Sequence, residues 1–194
     1  MIKISRLAAS LPLLLVATAA LAHTDTQAGG FISGLSHPIS GIDHVIAMVA
    51  VGLWGAFLGA PAIWVLPVVF PLVMAFGGAL GVMGVPLPGI ETGIALSGVV
   101  LGLLIAFAVR APIWVAAVIV GAFAIFHGHA HGTELPDAAN PFAYGIGFVV
   151  ATGLLHLSGI ALGFLIGSRA GRIVVRATGV VIAALGAGFL FGAI

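Results

Sequence analysis

Two short stretches carry most of the chemistry open to this chain. The first, HPISGIDH, holds His37, Asp43 and His44 at the mouth of a long apolar run. The second, FHGHAHGTE, holds His127, His129 and His131, followed by Glu134. His127 and His131 are four residues apart, so on a helix they share a face. Two imidazoles at that spacing can grip one metal ion, as an H-x-x-x-H pair does. His129 points elsewhere on a regular helix, or toward the same ion if Gly128 or Gly132 unwinds it. In the first stretch His44 shares a face with Met48, and Asp43 sits roughly 100° around from it. His37 precedes Pro38, which predicts an extended residue folding back over the helix start. Glu91 opens another apolar run, and His156 lies deep in a further one. Imidazole and carboxylate without thiolate suit borderline divalent ions such as Ni, Zn, Co or Cu(II). The chain has no cysteine, which removes disulfides, c-type haem attachment and thiolate metal sites together.

Taken singly, each of these residues has a plainer reading. Ser40-Gly-Ile-Asp43 fits a capping box, with Asp43 at the acid-favouring end of a helix. His37 and His44 fit interfacial histidines with their tips in water. Glu91 fits a cap, His156 a hydrogen bond to a neighbouring helix, and Glu134 a solvated loop charge. The methionines read as packing, and Trp54, Trp64 and Trp114 as belt residues at helix ends. Taken together they are harder to dismiss. An intramembrane Asp costs about 2.5–3.5 kcal/mol on insertion scales, and such groups are rare and usually functional. Five imidazoles and a carboxylate gathered at one side of two helices point to one metal site.

The elements that must position these groups are membrane helices. The chain is 62% hydrophobic and 6% charged, with mean hydropathy +1.34, whereas soluble domains run near one quarter charged. A surface so poor in polar groups needs lipid as its solvent. The expected fold is all-α, a polytopic membrane helix bundle forming a single domain over residues 23–194. A signal peptide precedes it at 1–22: Lys3 and Arg6, an apolar stretch, then Ala20-Leu21-Ala22 as an A-x-A cleavage site. About six apolar segments follow, near 39–59, 62–84, 91–109, 112–131, 142–167 and 173–193. Arg110, Arg169, Arg172 and Arg176 fall at breaks on one side, and Glu91, Glu134 and Asp137 on the other. The positive-inside bias then places the mature N-terminus and the histidines on the periplasmic side of the inner membrane. The net charge of +1 implies no polyanion partner, and no basic cluster suggests nucleic acid.

The spelling of the two motifs is specific. HPISGIDHVIAM has the form H-P-x-x-G-x-D-H-x-x-A-M and FHGHAHGTE the form F-H-G-x-x-H-G-x-E; together they resemble the HupE/UreJ family of membrane proteins. The resemblance implies a nickel permease, alternatively a cobalt one, supplying hydrogenase or urease maturation, with metallochaperones as partners. It implies that His37, Asp43, His44, His127, His131 and Glu134 handle the metal. His129 falls at a variable position, and Glu91 and His156 lie outside both motifs. No prosthetic cofactor and no enzymatic activity are expected; Ni2+, or Co2+ or Zn2+, is cargo. The competing readings are a membrane metallohydrolase with a metal-activated water, a non-transporting metal sensor or accessory protein, and a haem-binding subunit. The last needs paired histidines at depth, where His156 stands alone.

Overall fold

The computed structural model describes residues 30–134 and 140–194. The expected signal peptide lies outside the described residues. Every element among them is helical: α1 Phe31–Ser40, α2 Ile42–Leu58, α3 Ala62–Val82, α4 Ile90–Ala106, α5 Ile113–Thr133, α6 Pro141–Gly163 with a short 3-10 extension Phe164–Gly167, and α7 Arg169–Leu190. Four of these, α3, α5, α6 with its extension and α7, are long and apolar enough to cross a membrane. The bent pair of α1 and α2 makes a fifth if the two act as one span. The sixth expected segment, α4, has 17 residues, a length of ~25 Å at 1.5 Å per residue against a hydrocarbon core of ~30 Å.

The largest departure from expectation is at the first motif. Residues 31–40 form a helix of their own, so His37 is helical rather than extended. Pro38 lies inside this helix and offers no N–H to the Gly34 carbonyl, which weakens its last turn just before the chain bends. The chain then turns by 86° between α1 and α2. The hinge is Gly41, with extended backbone (φ −96°, ψ 115°). A Cβ there would lie 2.7 Å from Asp43 Oδ1 and 2.9 Å from His44 Nδ1, so only glycine lets these side chains close over the hinge. The expected capping box does not form. Gly41 is the N-cap of α2 and makes no side-chain bond, while Ser40 Oγ donates back to the Ser36 carbonyl at 2.8 Å.

Packing makes α2 the central helix: ten of its 17 residues are buried. It packs on α6, α3 and α4, while α3 pairs with α5, α4 with α7, and α1 with α6. Trp54 is fully buried in α2 and donates its indole N–H to the Val109 carbonyl at 3.1 Å. It is a core residue, not the belt residue expected; Trp64 and Trp114, 63% and 69% exposed, face outward. Bulky apolar side chains on the outer faces of α3, α5, α6 and α7, such as Leu72, Phe76, Val118, Leu154 and Val181, are exposed as well, the pattern of a lipid-facing surface. The helix starts follow local rules. Asn140 Oδ1 accepts from the N–H groups of Phe142 and Ala143 ahead of Pro141, and Ser168 Oγ accepts from Gly171 N–H, both N-caps of the ordinary kind.

Gly128 and Gly132 do not unwind α5, which stays helical to Thr133. They bring α5 against α3: an added Cβ would run into the carbonyl of Met74 at the first and of Gly78 at the second, the close contact small residues allow in lipid. Gly128→Leu should therefore cost ~1–3 kcal/mol or more by overpacking and lower the thermal midpoint of the detergent-solubilised protein. Gly153→Leu, at a position with nothing within 4 Å of an added Cβ, should leave it near wild type. Equal midpoints for the two variants would contradict this packing.

Candidate metal centre

Three helix ends converge on one cluster of imidazoles. The end of α1 supplies His37, the start of α2 supplies Asp43 and His44, and the last turns of α5 supply His127 and His131. Because α5 is regular, its two histidines face the same neighbour. The His44 ring lies 4.9 Å from that of His127 and 4.5 Å from that of His131. His37 closes the far side, 4.8 Å from the His131 ring. His37, His131 and Glu134 offer one ligand atom each, all within 4.8 Å of one another, and His37 Nε2 stands 3.5 Å from Glu134 Oε2. Tyr144 and Phe148 of α6 form the wall against His37 and His131, with the Phe148 ring 4.4 Å from that of His131. Beside His131 a cavity of about 250 Å³ opens between α3, α5 and α6, its other walls largely apolar.

The hydrogen bonds decide which ring nitrogens are spoken for. Asp43 Oδ1 accepts from His44 Nδ1 at 2.8 Å and from the His44 backbone N–H at 2.9 Å. A carboxylate can only accept, so Nδ1 carries the proton and Nε2 keeps its lone pair. The carboxylate thus orients the ring and raises the basicity of the free nitrogen, as it does behind metal-bound histidines. His127 is fixed by a residue the motifs do not contain. Ser97 of α4, fully buried, donates to the Ile94 carbonyl at 2.6 Å and lies 2.9 Å from His127 Nε2. With its one proton committed, Ser97 accepts, so Nε2–H of His127 donates and Nδ1 is the lone pair. His44 Nε2, His127 Nδ1 and both ring nitrogens of His131 are buried without a hydrogen-bond partner among the described residues. Buried polar atoms are nearly always paired. A group of unpaired imidazole nitrogens at one place is what a site for a soft or borderline cation presents.

The other expected site residues fall outside this cluster. His129 Nε2 donates to the Val85 carbonyl at 2.7 Å, tying α5 to the connection before α4. Glu91 is exposed in the first turn of α4 and joins none of the contacts above. His156 is deeply buried on α6, separated from the cluster by Phe70: its ring lies 5.5 Å from the Phe70 ring, which in turn lies 5.6 Å from that of His127. Ser97, Phe70, Tyr144 and Phe148 were not read from the sequence. A lone serine in an apolar helix carries no signal beyond its depth, which matches that of His127 once the helices are paired.

A multi-pass helical membrane protein with buried, unpaired imidazoles gathered at one end of its bundle is the class that this fold and cluster define. The chain belongs to the HupE/UreJ family: the family model described as HupE / UreJ protein matches residues 11–189. It is 47% identical over 190 residues to Protein HupE of Rhizobium leguminosarum bv. viciae, an alignment that spans 98% of this chain and the whole of that protein. No solved structure matches.

If Ser97 holds the tautomer of His127, Ser97→Ala should weaken Ni2+ binding by about tenfold or more, the usual cost of losing a group that orients a ligand. Calorimetric titration of the detergent-solubilised protein reads the affinity, and its thermal midpoint should move little. An unchanged affinity would remove Ser97 from the site.

Proposed function

We propose that this chain is a permease that carries a divalent transition metal ion across the inner membrane, nickel first, with cobalt or zinc as alternatives. The observation that carries the reading is the chain of close imidazoles from α1, α2 and α5 with unpaired ring nitrogens. The arginines Arg110, Arg169, Arg172 and Arg176 sit at the opposite end of the helices. By the positive-inside bias the histidine end then faces the periplasm, with the mature N-terminus, after removal of residues 1–22, on the same side.

In this reading the partly exposed His37 and Glu134 meet the hydrated ion first and hand it to the buried His131. His44 and His127 then replace further waters. Asp43 acts mainly through His44, holding its ring and supplying the negative charge that makes a dication welcome. His156, behind Phe70, is the next station inward. His129 serves the fold, and Glu91 at most draws cations to the outer surface. Inward movement of charge gains about 2.3 kcal/mol per elementary charge per 100 mV of membrane potential. Metallochaperones of hydrogenase or urease maturation are the partners that would take the ion on the far side. A second reading has one observation in its favour: the largely apolar cavity beside His131 would give a membrane metallohydrolase access for a lipidic substrate. Transport of labelled metal into proteoliposomes separates the two.

Cells expressing the protein should accumulate labelled nickel, and His44→Ala and Asp43→Ala should bring accumulation down to the level of cells lacking it, with membrane insertion intact. Wild-type uptake in both variants would sink the assignment. The pH dependence has a definite sign. Metal ligation needs neutral imidazole, so as the pH is lowered from about 7 protons compete with the metal for the ring nitrogens and uptake should fall, not rise. Uptake that rises on acidification through that range would argue against imidazole ligands.

A further inference from the structure

We propose that the arginine-lined pocket at the end of the bundle opposite the histidines binds the phosphate headgroup of an anionic phospholipid. A cavity of about 420 Å³ lies there, lined by Arg169, Arg172 and Arg176 of α7 with Phe57, Ile166 and Ile173 among its apolar walls. The three arginines occur at i, i+3 and i+7, one face of a helix. Each is anchored or placed so that donors remain free. Arg176 spends Nε on the Ala106 carbonyl at 2.8 Å, leaving both terminal nitrogens. Arg172 spends Nη1 on the Ile166 carbonyl at 3.2 Å. Arg110 stands next to the pocket, its guanidinium 5.4 Å from the centre of the Phe57 ring. No carboxylate pairs with any of these arginines among the described residues; the two acid–base contacts present are both at the histidine end.

The placement is locally unfavourable without an anion. Arg169 and Arg172 lie in the first turn of α7, the positive end of its dipole, where acidic groups are preferred, and Arg172 and Arg176, four residues apart, repel each other along one face. The orientation rule explains why positive charge lies on this side but not why three guanidinium groups share a cavity. A phosphate would satisfy them, because guanidinium donors match its oxygens two at a time. The neighbouring surface points to a lipid rather than a free anion. A second cavity of about 310 Å³ shares Ile173 and Arg176 with the first and continues past Ala106, Ala177 and Val180. It is an apolar groove along α7 of the sort an acyl chain fills, below a basic headgroup pocket between membrane helices.

The test is titration of the detergent-solubilised full chain with phosphatidylglycerol, phosphatidylcholine and inorganic phosphate, read by native mass spectrometry and thermal midpoint. Phosphatidylglycerol should bind and raise the midpoint; phosphatidylcholine and phosphate at the same concentration should not. Arg169→Gln with Arg172→Gln should weaken phosphatidylglycerol binding about tenfold or more, the worth of a lost charged hydrogen bond. Should that variant fail to insert, Val180→Trp, which blocks the groove and leaves every arginine in place, should weaken lipid binding in the same assay. Wild-type lipid affinity in either variant overturns the proposal. A midpoint shift by phosphate equal to that by phosphatidylglycerol overturns the lipid assignment in favour of a free-anion site.

Discussion

The polar end of this bundle depends on the turn at Gly41. An uninterrupted helix through the first motif would carry His37 about 1.7 turns up from Asp43, away from the end of α5. The 86° bend instead lays α1 across the end of the bundle, so that His37 meets His131 of α5 while His44, just past the bend, meets both His127 and His131. The bend itself uses backbone angles any residue adopts; glycine is needed there so that the Asp43 carboxylate and the His44 ring can close over its α-carbon. Hinge and site are therefore one structure: the pair that sits on Gly41 is also the pair that presents His44 Nε2 to the cluster.

Burying imidazoles without partners is expensive, since a desolvated polar group costs about 1–3 kcal/mol when left unpaired. The fold limits this cost by fixing one nitrogen of each ring where it can. Asp43 takes the proton side of His44, and Ser97 takes that of His127. The nitrogens left over face a shared region, and a bound dication would repay their desolvation. Phe70 lies beyond, in contact with the rings of both His127 and His156. In the proposed permease, passage inward past this ring would require α3 or the ring itself to move.

Much of this was legible in the sequence, and the failures have physical reasons. Composition alone dictates helices in lipid, and the breaks fall within a few residues of the expected places for α3, α4 and α5. The start of α7 was expected later because Arg169 and Arg172 look like loop residues; long arginine side chains can reach the interface from inside a helix, so charge did not mark the boundary. The short helix α1 was hidden because a residue before proline is biased toward extended backbone, a bias that packing of α1 on α6 overrides. Helical spacing paired His127 with His131, and the topology, which puts both motifs at one end of the helices, brought His44 to them. The two motifs could not announce Ser97, because its contact with His127 depends on how α4 docks, and docking between membrane helices is set by shape rather than by any pattern along the chain. Trp54 shows the same limit, since a buried indole and an interfacial one look alike until the Val109 carbonyl is seen to accept its N–H.

The most direct test of the metal centre is X-ray absorption at the nickel edge of the purified, Ni2+-loaded protein. Ligation by the cluster gives the outer-shell scattering of more than one imidazole per ion, reduced in His44→Ala. A first shell made of oxygen alone, the same in wild type and variant, would contradict it.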